Sequence, residues 1–404
     1  MPTPVDLLQS QVEETAQKLS HQIIPTPLVY NATLSNLTGQ NIYLKMENFQ
    51  ATGSFKIRGA LNKIFNLSES EIQRGIIAAS AGNHAQGVAW SAQKLGIKAT
   101  VVMPVLTPIN KVNATRNYGA KVMLHGEFFD DALAKAQEIA AQDQLTLIHP
   151  FDDLKVIQGQ ATIGLEIAQE LLQIDYCLIP VGGGGLASGI ASYLKQVSPR
   201  TKIVGVEAEN VNSLNQALQV GKPVSVRPLP SLAEGIAVKT LSWKTWQIIE
   251  SHLDQAAQVT EAEILAAMIF MAKHCGVIVE GSAAVCVAAL LTHKVKFSRL
   301  GQNVVLIISG SNVEFSHFEN EPKIDLSDQS SIKAVLKRSD LKNSLTNLIE
   351  KAGQIEAQII KVFYHNHPHY VDKIGVSVLF SPTRAAKFLT TVLAAHGQIV
   401  DEFE

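Results

Sequence analysis

The sequence predicts an α/β protein with parallel sheets flanked by helices, followed by a small unit in the ferredoxin-like βαββαβ order. Three observations carry this expectation. From about Asn41 to Ser309, short β-branched runs alternate with longer Ala-rich stretches of helical period. A polar segment from Ser316 to Ser331 then breaks the alternation, as a linker does. Beyond it, the pattern runs strand, helix, two strands, helix, strand. The expected boundaries are 1–315 for the larger part, 316–330 for the linker and 331–404 for the small domain.

In order, the predicted strands are "NIYLKM", "GIIAAS", "KATVVMP", "AKVMLHG", "LTLIHP", "YCLIPVGGGG", "KIVGVEAE" and "NVVLIISG". Between them, "HAQGVAWSAQKLG", "FFDDALAKAQEIAAQ" and "GQATIGLEIAQELLQ" read as helices. Such alternation builds parallel sheets covered by helices and gathers ligands at the carboxyl ends of the strands. In the last part, "IKAVLKR", "QIEAQIIKVFYHN", "DKIGVSVLF" and "QIVDEF" are strands, and helices lie near "DLKNSLTNLIEKAG" and "SPTRAAKFLTTVLAAHG".

A chain of 404 residues exceeds the usual single-domain size and allows two or three compact units. Hydrophobic content of 46%, charged content of 17% and a net charge of -2 lack the basic excess that nucleic acid or anionic membranes require. The three cysteines, Cys177, Cys275 and Cys286, form no CxxC pair and sit in apolar runs, as buried thiols of a reducing cytosol do. The N-terminus shows no signal-peptide pattern and no run has the length of a membrane helix, so the expected location is cytoplasmic.

Three strand ends and one lysine carry the chemistry. "PVGGGGLASGIASYL", after the strand "YCLI", lets consecutive N–H groups converge on an anion at a helix N-terminus, although a plain flexible turn has the same composition. "AASAGNHAQGVAW" repeats the strand, small-residue turn and helix, and its Asn83 brings a donor and an acceptor that suit a carboxylate plus a ring hydroxyl. Alone, Asn83 also reads as a helix cap, and His84 as a solvated first-turn residue. "LIISGSNVE" places Ser309 at a third strand end, where simple turn chemistry is the alternative. "ENFQATGSFKIRGA" reads as neither a core strand nor a surface helix, and sets Lys56 between Phe55 and Ile57 behind a Thr-Gly-Ser turn. In apolar surroundings such a lysine loses its proton more readily and can condense with an aldehyde.

Together these motifs resemble the pyridoxal-phosphate enzymes of the tryptophan synthase β type, and within them the threonine dehydratase (threonine ammonia-lyase) family. The resemblance covers nearly the whole chain up to about Glu314 and implies the two-lobed fold type II with pyridoxal 5'-phosphate as cofactor. "TGSFKIRGA" is similar to the family's cofactor-lysine motif, "SAGNHAQG" to its substrate-carboxylate loop, "GGGGLASGI" to its phosphate cup and "SGSN" to its pyridine-nitrogen turn. Carried over, it makes Lys56 the Schiff-base lysine and catalytic base, Phe55 a neighbour of the ring and Asn83 the partner of the ring hydroxyl. Gly182, Gly183, Gly184, Gly185 and Leu186 would meet the phosphate, Ser309 the pyridine nitrogen, and Ser80, Gly82, Asn83 and His84 the substrate. Arg58 would belong to the supporting shell. The implied reaction converts L-threonine to 2-oxobutanoate and ammonia, and L-serine to pyruvate.

Serine racemase is the closest rival within the resemblance. Its similar loop has a serine acid/base where this chain has Ala81, and a methyl group cannot exchange a proton. Its cation site begins at an acidic residue matching Glu207, but Ser213 stands near the position expected for the later acidic ligand, and no metal is assigned. A hydroxyl at Ser309 cannot stabilise a protonated ring by charge, which suits loss of a β-leaving group. A catalytically silent ligand-binding or assembly protein is the reading from another class; the complete set of motifs opposes it. The C-terminal unit resembles the ACT-like regulatory domain, which implies an amino-acid effector or assembly into a homo-oligomer, yet "KRSDLKNSL" replaces the family's Asp-Arg-Pro-Gly turn. "HNHPH", from His365 to His369, reads as an exposed loop and not a metal site.

Overall fold

In a computed structural model of the chain, the described residues are 7–313 together with the strands Ser330–Lys337, Gln358–Tyr364, Lys373–Phe380 and Gly397–Val400. Two sheets organise residues 7–313. The large sheet has six strands in the order Leu28–Tyr30, Asn41–Lys45, Asn303–Ile307, Tyr176–Pro180, Lys202–Ala208 and Gln255–Val259. Every neighbouring pair is parallel except the first. The small sheet is wholly parallel, in the order Lys121–Leu124, Ala99–Met103, Ile76–Ala79 and Thr146–Leu147.

Eight of these strands fall on the predicted runs; Leu28–Tyr30 and Gln255–Val259 do not. Both are edge strands, paired on one side only, where a continuous apolar run is not needed. "QAAQV" has the composition of a helix and is held extended by its parallel register with Val204–Ala208.

Local chemistry sets the helix ends. Helix Leu154–Glu170 starts earlier than its apolar period suggests because the Asp153 side chain accepts from the N–H groups of Lys155 and Val156. Helix Asn83–Leu95 stops at Gly96, which takes the left-handed conformation at φ 67°. The stretch that fitted no pattern becomes a short 3-10 turn, Glu47–Phe49, a loop, and helix Lys56–Phe65. That helix buries Ile57, Arg58, Gly59, Ala60, Leu61, Asn62 and Ile64, so none of its faces is fully solvated.

Each sheet is covered on both faces. One face of the large sheet packs Val204, Val206 and Leu306 against helices Glu261–His274 and Gly281–Leu291. The other packs Cys177, Ile179 and Val305 against Leu154–Glu170, Gly185–Val197 and Trp246. The small sheet is enclosed by Lys56–Phe65, Asn83–Leu95 and Ile109–Asn117 on one side and Phe129–Asp143 on the other. All three cysteines are free and buried, and burial pushes the Cys275 thiol up to about 11 and those of Cys177 and Cys286 higher still. Among the described residues no helix is long and apolar enough to cross a membrane.

The C-terminal strands form an antiparallel sheet in the order Gln358–Tyr364, Lys373–Phe380, Ser330–Lys337 and Gly397–Val400. The helices expected between them, the histidines 365–369, the linker up to 329 and most of "KRSDLKNSL" lie outside the described residues.

Candidate active site

The motifs singled out in the sequence converge where the carboxyl ends of the two sheets meet. The turn before Lys56 and the turn at Ser309 are zipped together. Ser54 and Gly310 form an isolated antiparallel bridge, the Phe55 N–H donates to the Ser309 carbonyl at 3.1 Å, and the Ser311 N–H donates to the Gly53 carbonyl at 2.9 Å. Asn312 Nδ2 adds a bond to the Thr52 carbonyl at 2.8 Å. Ser309 is buried by this ladder at the end of strand Asn303–Ile307.

Lys56 is the first residue of its helix and is half-buried. Its Nζ donates to the Pro150 carbonyl at 3.3 Å and lies 5.1 Å from the centroid of the Phe55 ring. Burial lowers its pKa to about 8, with Glu280 pulling the other way. A neutral amine is therefore accessible near neutral pH. Ile57 does not supply this setting: its side chain turns away, into a cluster with Leu19, Ile23, Leu61 and Trp90. Neighbouring positions at a helix start face different ways.

The glycine run follows strand Tyr176–Pro180 and opens helix Gly185–Val197, whose N-cap is Gly184 with no side-chain cap. The N–H groups of the first turn, including that of buried Leu186, are thus left for a ligand. Close packing requires glycine along this run. A Cβ on Gly183 would run into the Phe151 ring, and Gly184 holds φ +88° with Thr245 2.8 Å from where its Cβ would stand. Gly182 lies as closely against Ile236, and Gly185 against Phe151. Thr245 Oγ1 donates to the Gly183 carbonyl at 2.8 Å and fixes the loop from behind.

After strand Ile76–Ala79, Ser80, Ala81, Gly82 and Asn83 are half-buried, and Ser80 Oγ accepts from the Gly82 N–H at 3.2 Å. Asn83 is not a helix cap: Nδ2 donates to Glu280 Oε1 at 2.8 Å and Oε2 at 3.0 Å, and Oδ1 accepts from Asn312 Nδ2 at 2.8 Å. His84 is not solvated either. It is 3% exposed, with Nε2 2.8 Å from the Ile148 carbonyl, and burial together with the Lys56 charge depresses its pKa to about 3. A neutral ring bonded to Ile148 braces this loop against the strand Thr146–Leu147.

Glu280, missed in the sequence, lies at the site through its contact with Asn83. It is 9% exposed, and burial raises its pKa to about 7 against the donors Asn83 and the Asn312 N–H and the charges of Lys111 and Lys56. Its one sequence signal is an acid between the apolar run "GVIV" and the small residues "GSAAV". Phe151 and Thr245 had no signal, since what they cover is set by the fold.

Behind Lys56, a second buried cluster anchors the helix. Arg58, fully buried, pairs with Glu47 through Nε and Nη2 at 2.7 Å each and with Glu166 through Nη1 at 2.6 Å and Nη2 at 2.8 Å. Lys45 Nζ joins Glu166 at 2.6 Å and the Thr26 carbonyl at 2.6 Å. Burial works against these charges, yet pairing wins: Arg58 is raised and Glu166 falls to about 2. Glu207 is buried near the end of strand Lys202–Ala208. Its carboxylate accepts from the Leu214 N–H at 2.8 Å, the Asn215 N–H at 2.9 Å and Asn215 Nδ2 at 2.7 Å, holding the first turn of helix Ser213–Val220.

Pyridoxal phosphate fits these residues. The uncapped helix N-terminus suits a phosphate, Lys56 an aldehyde, and the buried hydroxyls Ser54 Oγ and Thr52 Oγ1 of the adjoining turn have no partner within the protein. Comparison with known proteins agrees. Residues 19–310 match the family described as pyridoxal-phosphate dependent enzyme. The chain is 41% identical over 357 residues to the L-threonine ammonia-lyase of Thermotoga maritima, covering 88% of each. The processed form of threonine deaminase isoform 2 from Solanum lycopersicum superposes with a TM-score of 0.72 and 38% identity, over 78% of this chain and 88% of that one. Serine racemase from Dictyostelium discoideum also reaches a TM-score of 0.72, with 34% identity over 76% of this chain and 99% of that one. With its lysine, glycine loop and paired sheets in this arrangement, the chain belongs to the pyridoxal-phosphate dependent enzyme family.

Proposed function

We propose that the chain is a threonine ammonia-lyase that converts L-threonine to 2-oxobutanoate and ammonia, and L-serine to pyruvate. The observation that carries this reading is the Lys56 amine, held at about 8 where the glycine loop and the Asn83 and Ser309 turns meet. Bound pyridoxal phosphate supplies an aldehyde that captures amines and a ring that delocalises charge from the substrate Cα. Gly182, Gly183, Gly184, Gly185 and Leu186 would hold its phosphate, Asn83 would face the ring hydroxyl and Ser309 the ring nitrogen, and Phe55 would border the ring. Ser80, Gly82 and Asn83 receive the substrate carboxylate, with His84 bracing them from behind.

With its amine free, Lys56 would take the Cα proton, and passing that proton on would let the β-hydroxyl leave as water; a second water would then release ammonia and the 2-oxo acid. Ala81 offers no group to return a proton to the opposite face, which separates this reading from the racemase that the fold also resembles. The test measures 2-oxo acid release from L-threonine and L-serine beside chiral analysis of recovered serine. Keto acid forming faster than D-serine is the expected result; the reverse order refutes it.

The domain boundaries 1–315, 316–330 and 331–404 belong to the same reading, with the last part an ACT-like unit that binds an amino-acid effector or joins copies of the chain in a homo-oligomer. The antiparallel order of its four strands, with the first and third adjacent at the centre, supports this assignment. A cytoplasmic location belongs to the same reading; the effector decides between isoleucine biosynthesis and amino-acid breakdown, and inhibition of threonine turnover by a branched-chain amino acid is the measurement that tests the regulatory part.

A further inference from the structure

Glu280 stands at the N-cap of helix Gly281–Leu291, yet its side chain makes no cap bond to that helix. Ser, Thr, Asp and Asn are the residues that fill such a position for the helix's sake. The Glu280 carboxylate instead crosses to Asn83, 197 residues earlier, whose amide nitrogen donates to both of its oxygens, and it also accepts from the Asn312 N–H. At the other end of that amide, Asn312 Nδ2 donates to Asn83 Oδ1 and to the Thr52 carbonyl, each at 2.8 Å. Turning the Asn83 amide over would set oxygen against the carboxylate and N–H against N–H. Its orientation is fixed from both sides.

We propose that Glu280 is a positioning residue: with Asn312 it locks the Asn83 amide so that an N–H, and not the carbonyl, is presented to the cofactor's ring oxygen. The inference rests on the reading in which Asn83 faces that oxygen. An amide nitrogen that serves the carboxylate with one hydrogen keeps the other, and an oxygen on an electron-withdrawing ring is an acceptor for it. The buried carboxylate is costly to hold, and no capping role repays it. The acid also links the two sheets, because Asn83 follows the small sheet and Glu280 leads a helix packed on the large one.

The test is a double-mutant cycle on the full chain with bound pyridoxal phosphate, read by the visible absorbance of the cofactor and by its dissociation constant. Glu280→Gln keeps the shape but offers Asn83 either end of an amide. It is expected to shift the absorbance maximum and weaken cofactor binding by about tenfold or more, the scale of a lost bond to a charged group. Asn83→Ala is expected to do the same, and the double variant to go no further than Asn83→Ala. Unchanged absorbance and affinity in Glu280→Gln, or an effect that adds in full to that of Asn83→Ala, overturns the proposal. An Asn83→Ala protein with normal absorbance and affinity overturns the reading of Asn83 itself. Should Glu280→Gln not fold, Asn312→Ala completes the same cycle, where sub-additive effects support the lock and additive ones refute it.

Discussion

Two buried ionic clusters share one helix start and behave in opposite ways. Around Arg58, each charge meets an opposite charge at hydrogen-bond distance, and Glu166 is driven to about 2. Around Lys56, two residues earlier, the amine and Glu280 act on one another without such pairing, and burial moves them to about 8 and about 7. Pairing makes a charge permanent, which suits a scaffold. Desolvation without full pairing leaves a charge negotiable, which suits proton transfer.

The sharpest contrast comes from removing each lysine or arginine. Lys56→Ala is expected to lower threonine turnover about a thousandfold or more and abolish the cofactor's visible band, without lowering the unfolding midpoint of the cofactor-free chain. Arg58→Ala leaves Glu47 and Glu166 buried without their partner and is expected to destabilise by about 3–5 kcal/mol, seen as a lower urea midpoint. A stable Arg58→Ala protein would erase the distinction between the clusters. At the phosphate cup, Gly183→Ala forces the Phe151 ring aside and is expected to cost about 1–3 kcal/mol of stability and weaken cofactor binding, with Phe151→Leu in the same chain restoring part of each.

The smallest effects are those of pH, measured on the cofactor-free chain by urea unfolding. Lys56 is depressed from 10.5 to about 8, so its contribution is present above 10.5 and lost as pH falls through about 8. Glu280 is raised from 4.5 to about 7, so its contribution is present below 4.5 and lost as pH rises through about 7. Glu166, lowered from 4.5 to about 2, keeps its contribution above 4.5 and loses it as pH falls through about 2. Lys56→Met is therefore expected to gain most on the wild type below pH 8, with the difference closing toward 10.5. A constant difference would place the amine in water.

The parts of this site that were legible in the sequence are those whose chemistry is local. A strand followed by glycines and a helix announces an anion site, and Lys56 behind its turn announces covalent chemistry. Glu280 and Asn312 were not legible, because their meaning lies in a contact with Asn83 across 197 and 229 residues. The setting of Lys56 was misread through Ile57, since a neighbour in sequence at a helix start need not be a neighbour in space. Edge strands escaped for a related reason: "QAAQV" is extended only because Lys202–Ala208 lies beside it.

The chain's three thiols, all sealed in the cores, make it silent to maleimide and other thiol-directed labels while folded. Cysteines introduced at the fully exposed Leu172 and at Leu106, exposed 79% beside the small sheet, would then be the sole attachment points for a pair of fluorophores. Energy transfer between them would report the distance between these two points of the folded chain, one molecule at a time.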